Sequence, residues 1–294
     1  MYIYLYLLLL LQILTGSLVF IIFKLMNIRG VNRPRTLLFN YFFAFATALF
    51  SVKWDLGYTP FDVEIGYIWP AFLQGLFFVV NFLLMGYATR SVGMGLTSAF
   101  SKLSVIIPVV AGIFFLGETS RLWAKSIGLV LTIISFYLIL FKKGEKALDK
   151  SAWILPVAVF LLSGAIDLNN ALVTKFLLSY LNDVSIFLFW TFLVAFLLTL
   201  TMSIVDVVKN GFHFLWRNLF YGLCLGIFNF FTMKLLMMNV NIFGGSIVFP
   251  IFNSSVVLLT ALLGMWFFRE KLSLRQWIGV ALAISAVVII AVSI

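Results

Sequence analysis

A lysine and an aspartate stand inside apolar stretches that are long enough to cross a membrane. Lys102 lies in SAFSKLSVIIP and Asp167 lies in SGAIDLNNAL. A charged side chain at the centre of a membrane helix costs about 2.5–3.5 kcal/mol on insertion scales, so each of the two needs a partner or a water-filled cavity. If they meet, each lowers the desolvation cost of the other. The two residues therefore predict a polar site at membrane depth, where the ammonium group of Lys102 receives an anion or the carboxylate of Asp167.

Such a site could also couple binding to proton transfer. We expect either that a substrate competes with Asp167 for Lys102, or that Asp167 takes up a proton when the substrate leaves. Two structural alternatives stay open at this point. Lys102 could be tethered to a backbone carbonyl or a helix end, and the Lys102–Asp167 pair could be static and only fix helix packing.

The composition of the chain supports a membrane location. Of its 294 residues, 64% are hydrophobic and 10% are charged, with a mean hydropathy of +1.16. Soluble domains are about 45–50% apolar and about 25% charged. The single Cys224 and the single His213 exclude an intrachain disulfide and a Cys/His metal cluster, and no cofactor is expected. The net charge of +10 lies in short connectors and indicates contact with anionic lipid, not with nucleic acid.

Apolar runs of about 20 residues predict transmembrane helices. Ten such runs occur, at 3–26, 34–52, 66–89, 92–116, 122–141, 152–178, 184–207, 215–238, 242–268 and 274–293. The alternation typical of membrane β-strands is missing, so we predict an all-α integral membrane protein with ten transmembrane helices.

The two halves of the chain share unusual residues in one register. Four pairs of identical residues are separated by 151 or 152 positions: Lys24 and Lys175, Gly75 and Gly226, Glu118 and Glu270, Gly128 and Gly279. This predicts a duplication with repeats at 1–144 and 145–294, five helices each, within a single transmembrane domain. An odd number of spans per repeat makes the second repeat enter the membrane in the opposite sense, as in the inverted repeats of secondary transporters.

The same register extends the candidate substrate site. Adding 151 or 152 to Lys102 leads to Asn253 or Ser254, and each of the two segments also carries a proline, Pro108 or Pro250, which is expected to bend its helix. Further polar or aromatic side chains expected at membrane depth are Asn170, Asn40, Asn81 and Trp190. The alternative for these residues is packing, since Ser and Asn also join helices by hydrogen bonds and a deep Trp is often a core residue.

The distribution of basic residues predicts the orientation. With the amino terminus outside, fourteen of the twenty Lys and Arg residues fall in connectors inside the cell and five fall outside. The positive-inside rule therefore places both termini outside a cytoplasmic (inner) membrane.

The motif of a proline, a glutamate and a glycine before the last helix of each half resembles the EamA-type drug/metabolite transporters. The first half shows Pro108, Glu118 and Gly128, and the second shows Pro250, Glu270 and Gly279 at similar spacing. The resemblance implies an exporter or exchanger of small metabolites that works by alternating access. Many relatives place their termini in the cytoplasm, in contrast to the charge count. Glu118 and Glu270 are expected to be structural, by pairing with Arg121 and Lys271 or by capping the short turn before the next helix. The alternative is that they gate the pathway.

We expect a secondary transporter of an anionic or zwitterionic metabolite, such as an amino or organic acid, acting as a monomer or homodimer with protons as coupling ion. An enzyme is not expected, because no catalytic constellation or metal-ligand spacing occurs. No nucleotide-binding GxxxxGK[ST] loop occurs either, so energy is expected from gradients or exchange. The remaining alternative is a lipid flippase or a non-transporting assembly subunit.

Overall fold

A computed structural model of the chain describes residues 2–31, 33–52, 60–61, 65–92, 94–140, 153–177, 184–210, 216–268 and 273–291. Within these ranges the regular elements are α-helices and no strand occurs. The helices are α1 Tyr2–Ile28, α2 Arg33–Ser51, α3 Ile65–Val92, α4 Met94–Leu103, α5 Ile106–Phe114, α6 Leu122–Leu140, α7 Ile154–Phe176, α8 Val184–Asn210, α9 Trp216–Phe243, α10 Gly245–Phe268 and α11 Leu274–Ala291. The predicted boundary between repeats, at 144 and 145, lies outside the described residues.

The prediction of an all-α, multi-pass membrane protein is confirmed. Seven of the described helices are long and apolar enough to cross a membrane: α1, α3, α6, α7, α8, α9 and α10. Shorter apolar helical segments cover Phe100–Phe114 and Leu274–Ile290.

Two boundaries differ from the predicted spans. The predicted span 92–116 is divided into α4 and α5, and α9 continues to Phe243 before a one-residue corner at Gly244. Gly244 has a φ of +85°, which favours glycine, and its N–H still donates to the carbonyl of Val240 at 2.9 Å. A periodicity of apolar residues does not locate such a corner, because both flanking helices are equally apolar.

The chain divides into two compact units. Unit one comprises Met1–Val79 and Phe176–Met238, and unit two comprises Val80–Lys175 and Asn239–Ile294. Unit one therefore takes one segment from each half of the sequence, whereas the first segment of unit two continues from the first half into the second.

In unit one, α2 packs antiparallel against α8 through aromatic rings. Tyr41 faces Phe192 at 6.5 Å between ring centroids, and Phe45 stacks on Phe196 at 6.3 Å. The members of each pair are 151 positions apart. At one end of this helix pair, Arg35 near the start of α2 binds Asp206 near the end of α8, with Nη2 3.2 Å from Oδ2.

Glycines bring further helices of unit one close to this pair. A Cβ atom at Gly75 of α3 would lie 2.5 Å from the backbone oxygen of Thr191 on α8. A Cβ atom at Gly226 of α9 would lie 2.5 Å from the backbone oxygen of Asn40 on α2. The two contacts are equivalent in sequence, because Gly75 and Gly226, and likewise Asn40 and Thr191, are 151 positions apart.

Unit two contains a second reciprocal contact, between α6 and α11. A Cβ atom at Gly128 of α6 would meet Ile290 near the end of α11, and one at Gly279 near the start of α11 would lie 2.7 Å from Cγ1 of Ile139. These helices also run antiparallel, and the register between them is again 151. The hydroxyl of Ser135 adds a buried hydrogen bond of 2.8 Å to the carbonyl of Gly279.

The close approach in unit one predicts a steric penalty for alanine. We expect Gly75→Ala and Gly226→Ala each to destabilise the protein by about 1–3 kcal/mol, because the neighbouring atom is a backbone oxygen that cannot rotate away. Gly86→Ala in α3 is the control, since nothing lies within 4 Å of its added methyl group. Thermal denaturation in detergent measures the difference, and equal melting temperatures for all three variants would contradict the packing.

Candidate functional site

Lys102 occupies the last turn of a short helix. The chain leaves α4 after Leu103, and the N–H of Ile107 then donates to the carbonyl of Ser104 at 2.9 Å. Pro108 explains the interruption, since a proline has no N–H for the carbonyl four residues earlier and its ring clashes there. The ammonium group therefore stands beside the carbonyl end of α4, where a positive charge is stabilised by the helix dipole. Pro108 is expected to bend its helix, and in the structure the helix is interrupted at Ser104 and Val105, just before the proline. Pro250, in contrast, lies inside the continuous α10.

The ammonium group of Lys102 donates a hydrogen bond of 2.9 Å to Oδ1 of Asn253 on α10. The amide nitrogen of Asn253 donates to the backbone carbonyl of Phe249 at 3.1 Å, one turn earlier, and this bond directs Oδ1 towards the lysine. Lys102 and Asn253 are 151 positions apart, the register of the sequence repeat. A hydrogen bond to an ionised donor is about twice as strong as a neutral one.

Asp167 lies on α7 and is near enough to Lys102 for an electrostatic interaction. The acidic and the basic side chain singled out in the sequence therefore belong to a common region of unit two. Ser163, Asp167, Asn170 and Thr174 follow one another at intervals of four, three and four residues, which places them on one face of α7. Ser163, Asn170 and Thr174 are buried, and Asp167 is partly exposed.

Hydroxyl groups extend this polar face to two more helices. The hydroxyl of Ser163 accepts a hydrogen bond of 3.2 Å from Nδ2 of Asn81 on α3 and lies 3.2 Å from the hydroxyl of Ser101 on α4. Asn81 was predicted from its position within an apolar span, whereas Ser163 and Ser101 were not predicted. Ser163 lies four residues before Asp167 and so on the same face of α7, which is a signal in the sequence, whereas Ser101 lies directly before Lys102 and has no such signal.

Ser254 points elsewhere. Its hydroxyl lies 3.1 Å from that of Thr132 on α6, and both side chains are buried. Of the two residues that the register matched with Lys102, Asn253 therefore contacts the lysine and Ser254 joins α10 to α6. A role of Ser254 in substrate binding stays a prediction.

Asn40 and Trp190 belong to unit one. Asn40 is buried, and its backbone packs against Gly226. The indole N–H of Trp190 donates to the carbonyl of Pro60 at 2.8 Å, and the ring meets Phe61 and Phe189 edge to face. A role of Asn40 and Trp190 in substrate binding stays a prediction. The contacts described for Trp190 are with other residues of the protein.

Glu118 binds the amino end of α10 from the connector between α5 and α6. Its two carboxylate oxygens accept hydrogen bonds from the backbone N–H groups of Gly245 at 2.9 Å and Ser246 at 2.7 Å. A carboxylate is favoured at this position because the first N–H groups of a helix lack partners within the helix. Lys125, only 2% exposed, fixes the connector by donating to the backbone carbonyl of Glu118 at 2.8 Å. This contact joins residues seven positions apart, and the sequence does not predict it.

Among the residues that the structure describes, no three His, Cys, Asp or Glu side chains are grouped to hold a metal ion. The polar region around Lys102 offers instead one cation, one carboxylate and several amides and hydroxyls. Groups of these types form ionic bonds and hydrogen bonds with charged small molecules.

The chain is similar to proteins of one transporter family. The profile of the EamA-like transporter family matches residues 145–292. An uncharacterized protein of Haemophilus influenzae is 24% identical over 283 residues, which cover 94% of either chain. A protein of known crystal structure matches with a TM-score of 0.73 over 96% of this chain and 94% of its own, at 14% sequence identity, which is a likeness of fold.

The contact of Glu118 with α10 predicts a clear loss of stability on neutralisation. Glu118→Gln replaces one acceptor oxygen by a donor, leaves one backbone N–H of α10 without a partner, and is expected to cost about 1–3 kcal/mol. Asp206→Asn removes the partly exposed carboxylate that binds Arg35 and should cost only about 0–1 kcal/mol. Thermal denaturation of both variants in detergent tests this, and a shift of equal size in the two would argue against the capping role.

Proposed function

The chain belongs to the EamA-like transporter family, and we propose from this that it is a secondary active transporter of a small anionic or zwitterionic metabolite. It acts as an exporter or exchanger, and an amino acid or an organic acid is the substrate class that fits. The observation that carries the proposal is the hydrogen bond between Lys102 and Asn253, with Asp167 near the same ammonium group.

The chemistry of these groups supports an anionic or zwitterionic solute. A substrate carboxylate binds the ammonium group of Lys102 by a charge-assisted hydrogen bond. The amino group of a zwitterion has the carboxylate of Asp167 as its counterpart. Substrate and Asp167 then compete for the same cation, so the occupied and the empty site differ in how Lys102 is neutralised. The hydroxyls and amides on the face of α7 supply hydrogen bonds that select the solute by shape.

Alternating access in this proposal arises from two inverted repeats at 1–144 and 145–294. Its support is the reciprocal packing described above. Residues 151 positions apart touch each other in three cases: Tyr41 with Phe192, Phe45 with Phe196, and Lys102 with Asn253. A residue can touch its own equivalent only close to a two-fold axis, as in an isologous interface. Because the equivalent helices α2 and α8 run antiparallel, such an axis favours repeats of opposite orientation.

The remaining features of the proposal follow from the sequence. The protein lies in the cytoplasmic (inner) membrane with both termini outside, and it works as a monomer or homodimer. Protons are the coupling ion, and Asp167 is the group that carries them.

Neutralising Lys102 tests the site. Thermal-shift measurements of the purified protein against a library of amino acids and mono- and dicarboxylates identify a ligand, since binding to the folded state raises stability. We expect Lys102→Gln to weaken binding of that ligand by about 1.5–3 kcal/mol, which is roughly ten- to hundredfold. Lys102→Arg should retain part of the affinity, because the charge is kept and the geometry is not.

The matched control is Lys234→Gln, which removes a lysine from the long helix α9. Lys234 lies in unit one and donates to the hydroxyls of Ser51 at 2.7 Å and Ser185 at 2.8 Å. Binding is expected to be unchanged in this variant. A ligand that binds Lys102→Gln as tightly as the wild type, or that is lost equally in both variants, would refute the assignment.

Neutralising Asp167 tests the coupling. In proteoliposomes, Asp167→Asn is expected to lose uptake driven by a pH gradient while it keeps exchange of labelled for unlabelled substrate, because exchange needs no net proton movement. Lys102 is the charged group that faces Asp167 in unit two, and it is unaltered in this variant. Gradient-driven transport with unchanged pH dependence in Asp167→Asn would rule out this mechanism. Asp206→Asn, which neutralises a carboxylate of unit one, is the control and should transport like the wild type.

A further inference from the structure

A cavity of about 390 Å³ opens in unit one where α1 ends and α9 begins. It is lined by Arg29, Gly30, Val31, Trp216, Arg217 and Asn218. None of these residues belongs to the candidate transport site in unit two. We propose that this cavity binds the headgroup of an anionic membrane phospholipid, with a glycerol phosphate headgroup as the best match.

The wall formed by α1 is rigid. Gly30 has a φ of +59°, and the N–H of Val31 donates to the carbonyl of Met26 at 2.9 Å, the geometry of a Schellman cap. Val31 and Met26 are buried in one cluster with Tyr221 and Leu225 of α9. The end of α1 is therefore packed against the first three turns of α9, and these contacts fix the backbone on both sides of the cavity.

The polar groups of the cavity fit a phosphodiester that also carries a hydrogen-bond donor. The guanidinium groups of Arg29 and Arg217 provide two positive charges suited to phosphate oxygens. The first turn of α9 adds backbone N–H groups with no acceptor inside the helix. Asn218 is 98% buried, and its Oδ1 has no hydrogen-bond partner among the described residues, so a donor from a bound headgroup would satisfy it. A headgroup hydroxyl supplies that donor.

The surroundings favour a lipid over a free phosphate ion. Large apolar side chains next to the cavity are exposed in the protein: Ile28 at 63%, Trp216 at 75% and Phe220 at 62%. Trp216 and Phe220 are four residues apart on α9, so they form one apolar face along which an acyl chain can lie. An aromatic residue beside arginines at a helix end is typical of the membrane interface, where basic pockets between helices bind lipid headgroups.

Native mass spectrometry of the full chain in detergent tests the proposal, with dioctanoyl phosphatidylglycerol and dioctanoyl phosphatidylcholine as probes. We expect the phosphatidylglycerol to bind at least about tenfold more tightly, because the phosphocholine headgroup carries no net charge and no hydrogen-bond donor. Arg29→Gln with Arg217→Gln should remove this preference. Lys175→Gln with Lys209→Gln removes the same amount of charge from exposed positions outside the cavity and should leave the preference intact.

A second variant separates an effect of charge on lipid binding from an effect on folding. Asn218→Asp is nearly isosteric and adds a negative charge to the cavity, so it should weaken binding of phosphatidylglycerol at least about tenfold with an unchanged helical circular dichroism spectrum. Glycerol phosphate, which lacks acyl chains, should not compete at concentrations equal to those of the lipid. Equal binding of the two lipids, equal loss in the control double variant, or competition by glycerol phosphate as strong as by the lipid would each overturn the proposal.

Discussion

The interior of unit two is organised around one ammonium group in an apolar surrounding, which needs polar partners from several helices. Lys102 cannot lie against apolar side chains alone at an acceptable cost. The break after α4 puts it beside a helix end, α10 offers the amide oxygen of Asn253, and α7 offers the charge of Asp167. Three helices that are far apart in sequence are thus required at one point, and the positions of their neighbours follow from that requirement.

The helix α10 is held at two places, at its amino end and at the turn that carries Asn253 and Ser254. Glu118 binds its first two backbone N–H groups, and Asn253 contacts Lys102 about two turns further along. The hydroxyl of Ser254 joins the next residue of the same turn to Thr132 of α6. The amino end of α10 is thus fixed by a charged cap, and Gly244 directly before it is the position where the backbone can change conformation at the lowest cost, because glycine accepts a wide range of backbone conformations.

Much of the architecture could be predicted from the sequence because apolar runs and one register dominate it. The all-α membrane fold and the family followed from hydropathy and from the motif around Pro108, Glu118 and Gly128. The register selected Asn253 or Ser254 as the equivalents of Lys102. Only the structure distinguishes them, since a difference of one residue turns a side chain by about 100° around the helix.

The contacts of Lys125 and Trp190 could not be predicted in the same way. Each is made with a backbone carbonyl, and any residue can supply a backbone carbonyl, so the sequence carries no mark of the partner. The division of the span 92–116 was also hidden, because Pro108 indicates a weakened helix but does not show where the chain leaves it.

The reciprocal glycine contacts of unit one restrict how the amino acid sequence can diverge. Gly75 fits against a carbonyl of α8, and Gly226 fits against the corresponding carbonyl of α2. Each half of the sequence thus supplies one glycine and the backbone carbonyl that packs against the glycine of the other half. A larger side chain at either glycine would meet a backbone oxygen of the other half, so the packing of each half limits which residues fit in the other.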